Sequence, residues 1–225
     1  MALRKPMELE ELVDASSGKE IVVTPLLVDR FEDLKKKYEE FLAVGYNQNK
    51  WVIEYAQEVV LPCDINLFLQ QTREYEDHVN YRDNTGLFIT QLIQDSYKAG
   101  NNDFELDVNS LKSIDYLASE VVSGTKKRTV RVVIKGEVGD RCGRNAQYST
   151  LTIGKAGNWC GVWAQHCTFT FKEAGKECGF GAVHSTFKTH SQKQYERFKK
   201  SVDQCNKNRL YLLAADGSIL KGGKW

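Results

Sequence analysis

Between residues 131 and 190, apolar and polar positions alternate in short bursts, and the bursts return on a fixed step. Leu151-Thr152-Ile153 and Phe169-Thr170-Phe171 each read as a short strand, apolar on one face and threonine on the other. The segments between them repeat as well. Gly139-Asp140-Arg141-Cys142-Gly143 returns as Gly157-Asn158-Trp159-Cys160-Gly161 and as Gly175-Lys176-Glu177-Cys178-Gly179, 18 residues apart each time. The flanks keep the phase: Ala146, Ala164 and Ala182; Tyr148, His166 and His184; Ser149, Cys167 and Ser185; Thr150, Thr168 and Thr186; Leu151, Phe169 and Phe187. In the first copy, Val132-Val133-Ile134-Lys135-Gly136, the apolar phase is one residue out, which predicts a bulge or a longer turn there.

A fixed period of alternating strands closed by glycine-rich turns predicts a coiled β-solenoid. Equivalent residues of successive coils would then stack about 4.8 Å apart as ladders of like side chains. Three hexapeptides of a left-handed coil would also total 18 residues, but Ile153, Trp159 and Gln165 do not keep an apolar residue at every sixth position. A right-handed coil with unequal faces is the expectation.

Before the repeats the periodicity is helical. Thr24-Pro25 offers a cap and a first-turn proline, and Phe31, Leu34, Tyr38 and Leu42 then share one face as far as Gly45. A second helix is expected from Lys50 to Val60, stopped by Pro62. A third runs from Ile65 to Tyr75 with Asp64 as cap, and Asn84-Thr85-Gly86 introduces a fourth. Residues 1–20 read as a solvated lead-in, and Glu20-Ile21-Val22-Val23 as a short strand. Phe104-Glu105-Leu106-Asp107-Val108 alternates as a strand, and Ile114-Asp115-Tyr116-Leu117 reads as part of a further coil. After His190, Tyr195, Phe198 and Val202 mark an amphipathic helix able to cover the last coil, and a hairpin around Asp216-Gly217 follows.

The expected fold class is therefore α+β: an N-terminal helical region, a short right-handed parallel β-helix of 18-residue coils, and a C-terminal helical cap. The regions are residues 1–100, 101–190 and 191–225. The run 132–143 and its two echoes resemble the glycine-patterned β-helix domain found in glutamate synthase and in formylmethanofuran dehydrogenase. Cysteine stands where that pattern usually has an aliphatic residue. Ser-Thr or Cys-Thr replaces the glycine that normally opens each strand. The resemblance spans roughly residues 103–190 and implies a structural part more than a catalytic one.

Composition narrows the function classes. Of 225 residues, 41% are hydrophobic, enough for a core. Lys and Arg number 31 against 30 Asp and Glu, so no global field recruits nucleic acid or an anionic membrane. No apolar run suits a signal peptide or a membrane span. A cytoplasmic protein with its six cysteines as thiols is expected.

Three sets of residues could carry chemistry. Cys142, Cys160 and Cys178 could offer soft ligands, yet a ladder strings thiols along a line while a tetrahedral site needs convergence; small buried hydrophobes are the plainer reading. Gly139, Gly157 and Gly175 belong to the same structural ladder. Tyr148, His166 and His184 form a candidate surface site that could share a proton or a metal, with no carboxylate in phase to orient them. Lys126-Lys127-Arg128 and the basic run 188–200, with Trp159, Trp163, Tyr195 and Phe198, could form an RNA patch; a solvated helix face explains the charges as well. The acidic run Glu74–Asp77 with Asp83 lacks the glycine and spacing of a calcium loop. No catalytic residue, resident metal or cofactor is indicated. The expected function is a non-catalytic scaffold or subunit that meets a protein partner or a second copy of itself. An enzyme or metal-binding protein using the His166/His184 face is the alternative, and RNA binding, not favoured, is the third.

Overall fold

The computed structural model describes residues 25–44, 59–120, 126–202 and 207–224; for residues 25–30 and 224 it describes the backbone alone. The expected lead-in, the strand at 20–23 and most of the helix expected at 50–60 lie outside these residues. The chain divides into two compact units, residues 1–36 and 37–225. In the first, the described residues are the opening turns of helix α1 (Pro25–Ala43), where Leu34 is buried.

Tyr38, Phe41 and Leu42, one face of the last turns of α1, are buried. Tyr38 sits edge-on to Phe68 and Phe88, with centroids 5.6 and 5.2 Å away. Phe68 comes from α2 (Pro62–Gln71) and Phe88 from α3 (Tyr81–Lys98). Pro62 opens α2, where its missing N–H would have no intrahelical partner anyway, and a 3-10 turn (Thr72–Tyr75) follows. Asn84-Thr85-Gly86 does not introduce α3, which begins earlier, at Tyr81. All three lie buried inside α3, and each makes a close polar approach. Asn84 donates to the carbonyls of Phe41 and Val44, both at 2.8 Å, and Thr85 shares a 2.6 Å hydrogen bond with the Tyr38 hydroxyl. A Cβ on Gly86 would collide with the Asp115 carbonyl.

Seven strands form one sheet in chain order: β1 (Asp103–Asp107), β2 (Val130–Glu137), β3 (Ser149–Ala156), β4 (Thr168–Ala174), β5 (Thr186–Thr189), β6 (Arg209–Leu213) and β7 (Ile219–Lys224). The first six pair parallel and β7 pairs antiparallel with β6. The 18-residue step appears in the register, Leu151 opposite Phe169 and Phe169 opposite Phe187. In β2 the register shifts between Ile134 and Glu137, where Gly136 takes φ +105°, and this accounts for the misphased first copy. The buried face stacks Phe104, Val132, Leu151, Phe169, Phe187 and Leu210 in one row. The rings of Phe169 and Phe187 lie 5.3 Å apart and nearly parallel.

This corrects the expected fold class. The protein is α/β, with one mostly parallel seven-stranded sheet and four α-helices among the described residues, and not an α+β protein built on a β-helix. A repeat length fixes the step between paired residues but not how much of each repeat becomes strand. Here one stretch of each period enters the sheet. The remainder is bends, joined between periods by single backbone hydrogen bonds and by isolated bridges such as Gln147 with Gln165. Nor is the helix after the repeats a terminal lid. Helix α4 (Gln192–Val202) is a crossover between β5 and β6, which are parallel neighbours, so the sheet continues beyond it. Tyr195, Phe198 and Val202 are its buried side, with Phe198 5.6 Å from Phe171. At the other margin of the sheet, the backbone of Asp107 on β1 is met by side chains of α2: Asn66 accepts its N–H and Gln70 donates to its carbonyl. Among the described residues, no helix is long and apolar enough to cross a membrane.

Candidate binding surface

The bends between strands set the functional face. Each period places residues at four left-handed positions: Arg141, Gly143, Asn145 and Tyr148, then Trp159, Gly161, Trp163 and His166, then Glu177, Gly179, Gly181 and His184. A non-glycine residue there is strained by about 1 kcal/mol or more. The strain is offset because such a residue turns its N–H along the stacking direction. Arg141 donates to the Asn158 carbonyl, Trp159 to that of Lys176, Trp163 to that of Phe180 and His166 to that of Val183, at 2.8–3.0 Å. A side-chain column reinforces these bonds. The Asp115 carboxylate accepts the N–H of Asp140, Asp140 accepts that of Asn158, and Asn158 accepts that of Lys176.

The cysteine column is core. Cys142, Cys160 and Cys178 are at most 1% exposed. Burial pushes the Cys160 thiol well up and that of Cys178 to about 12, so both hold their protons. The thiol of Cys178 points at the Gly157 carbonyl, 3.4 Å away. Gly139, Gly157 and Gly175 are points of close approach. A Cβ would strike the Asp115 carboxylate at Gly139, the Asp140 carboxylate and Gly139 backbone at Gly157, and the Gly157 backbone at Gly175.

Tyr148, His166 and His184 form a stacked column with centroids 4.7 and 4.8 Å apart and planes within 10°. Desolvation, then the nearby His184 and Lys126, lower the pKa of His166. Parallel imidazoles 4.8 Å apart do not suit a shared ion. Zinc–nitrogen bonds of about 2.0–2.1 Å need ligand nitrogens within roughly 4.2 Å, with their in-plane lone pairs converging. Among the described residues no group of three or more His, Cys, Asp or Glu side chains could hold a metal. The acidic run is occupied otherwise, since Glu76 accepts the N–H of Lys112 and Asp77 pairs with its ammonium.

Only part of the expected RNA patch is brought together. Tyr195 and Phe198 are on the buried side of α4, whereas Trp159 and Trp163 are 37% and 47% exposed on the bends. Arg128 lies over the Tyr97 ring, 4.3 Å from its centroid. What the bends do bring together is a cleft of about 390 Å³. The Arg141 guanidinium lies between Tyr116 and Trp159, 5.2 and 5.0 Å from their centroids, and donates to the Tyr116 hydroxyl at 2.6 Å. Arg144 covers Trp163 at 5.1 Å. Glu177 accepts the Trp159 indole N–H at 2.6 Å, and Phe180, 43% exposed, closes the far side. A second cleft of about 400 Å³ shares Glu177 and Phe180 and is bounded on α4 by Arg197, Lys200 and Gln194.

Sequence reasoning named Trp159 and Trp163 but missed Tyr116, Arg141, Arg144, Glu177 and Phe180. The available signal was phase: Arg141, Trp159 and Glu177 each precede a column cysteine, and Arg144 and Phe180 share the position three beyond Arg141 and Glu177. Tyr116 carried no such signal, because its row is 25 residues from the next. No protein-family model, curated protein or solved structure matches the chain, so its geometry alone carries the functional reading.

Proposed function

We propose that the protein is a non-catalytic interaction subunit that docks a protein partner in the cleft formed by Tyr116, Arg141, Arg144, Trp159, Trp163 and Phe180. The observation that carries this reading is the exposure of two tryptophans and a phenylalanine beside two arginines on a backbone held row to row. Tryptophan and arginine are the residues most enriched where interface energy concentrates. Arg141 and Arg144 already lie over the tryptophan rings before a partner arrives, which lowers the ordering cost of binding. The other columns offer less chemistry. The cysteine thiols are buried and protonated, and the imidazoles stack face to face instead of converging. The sheet then acts as a rigid frame that presents its bends.

The test compares the tagged chain with a Trp163→Ala/Phe180→Ala variant in extracts of the native cell, after treatment with nuclease. A discrete protein retained by the wild type and lost with the variant at equal folded amounts supports the reading. Equal retention by both, or a nucleic acid as the bound species, overturns it.

A further inference from the structure

The two adjoining clefts carry unbalanced charge. Arg141 and Arg144 stand on one, Arg197 and Lys200 on the other, and the carboxylate facing both is Glu177. Glu177 is engaged by the Trp159 indole N–H. None of the four cations has an ion-pair partner among the described residues, although Arg197 makes a long 3.4 Å hydrogen bond to the Ala174 carbonyl. This local excess of positive charge sits on a chain whose formal net charge is only +1.

Resting on the interaction reading above, we infer that the occupant is an extended acidic segment of the partner, alternating carboxylates with apolar side chains. Its carboxylates would meet Arg141 and Arg144 at one end and Arg197 and Lys200 at the other. An apolar side chain would pack on Phe180, which lines both clefts. Two features favour carboxylates of a peptide over a single-stranded nucleic acid. The planar guanidinium matches a carboxylate with forked N–H bonds, a geometry that suits acidic side chains. Arg141 and Arg144 already lie over the rings of Trp159 and Trp163, the surfaces on which bases would stack.

The experiment uses the full chain and fluorescence anisotropy with three labelled probes: a short peptide alternating glutamate with leucine, its glutamine counterpart, and an oligouridylate. The acidic peptide should bind most tightly and weaken as salt is raised. Arg144→Glu and Arg197→Glu, each with an unchanged melting curve, should each weaken it about tenfold or more. Arg144→Lys should weaken it less than Arg144→Glu, because charge remains while the fork is lost. Equal binding of the glutamate and glutamine peptides, tighter binding of the oligouridylate, or indifference to both charge reversals would overturn the inference. A partner that crosslinks at the cleft through a segment without carboxylates would overturn this inference alone and leave the interaction reading standing.

Discussion

Replacing Gly175 with alanine should disrupt the stacking of the bends at a point where nothing can yield. The Gly175 N–H donates to the Ala156 carbonyl at 2.9 Å and the Gly157 carbonyl at 3.1 Å. A Cβ there would stand within 3.0 Å of three backbone atoms, the carbon and oxygen of Gly157 and the nitrogen of Asn158. No rotamer change relieves a clash with backbone, so the rows must part by roughly 1 Å to reach ordinary van der Waals contact. Overpacking of this kind costs about 1–3 kcal/mol. Weakening one row-to-row backbone hydrogen bond adds about 0.5–1.5 kcal/mol. A loss of about 2–4 kcal/mol lowers Tm by roughly 5–15 °C in a protein of this size. Gly223→Ala is the control, since nothing lies within 4 Å of a Cβ at that position. Its chain-entropy effect is about 0.4–1 kcal/mol in the stabilising direction. Calorimetric melts of the two variants and the wild type decide the matter. If Gly175→Ala melts with Gly223→Ala, the proposed close approach of the rows is wrong.

Other outcomes follow from the same geometry. His166 binds fewer protons folded than unfolded below the ordinary histidine value of about 6.5, because its folded pKa is lowered. Stability should therefore be full above that pH and decline as pH falls through it towards the folded value; His166→Gln should flatten this part of a urea-midpoint profile, and an unchanged profile would count against the stacked column. Thiol titration of the native protein should modify Cys63 quickly and leave Cys142, Cys160, Cys167 and Cys178 unreacted until unfolding; reaction of Cys178 at the rate of Cys63 would place it outside the core. Asn84→Ala should cost about 1–3 kcal/mol in denaturant titrations, since the Phe41 and Val44 carbonyls lose the Asn84 amide as a donor. A change within error would mean that water replaces the amide.

Much of the second unit could be read from residue order, because its pairing is periodic. Phe169 and Phe187 announce their contact by spacing alone, and the misphased Val132–Gly136 run announces the register shift of β2. The error lay in extending period to architecture. Spacing says which residues are neighbours across strands, whereas the number of strands per repeat depends on backbone angles. Residues such as Trp159 and His166 adopt left-handed angles that their side chains do not advertise. Asn84-Thr85-Gly86 misled for a related reason. The small polar residues that favour turns also allow close packing inside a helix, and tertiary partners such as the Asp115 carbonyl decide which use prevails. The binding cleft was half visible. Its tryptophans stood out by type, but Tyr116 joins Arg141 only through a row that departs from the 18-residue period.

The proposed partner surface is the bends and not the outer face of the sheet. Site-specific photocrosslinking tests this most directly, with a benzophenone side chain at Phe180 in the cleft or at Thr170 on the outward side of β4, in extracts of the native cell. A discrete protein adduct is expected from position 180, abolished by Arg144→Glu, and none of comparable yield from position 170. Adducts from position 170 alone, or adducts from position 180 that ignore Arg144→Glu, would contradict it.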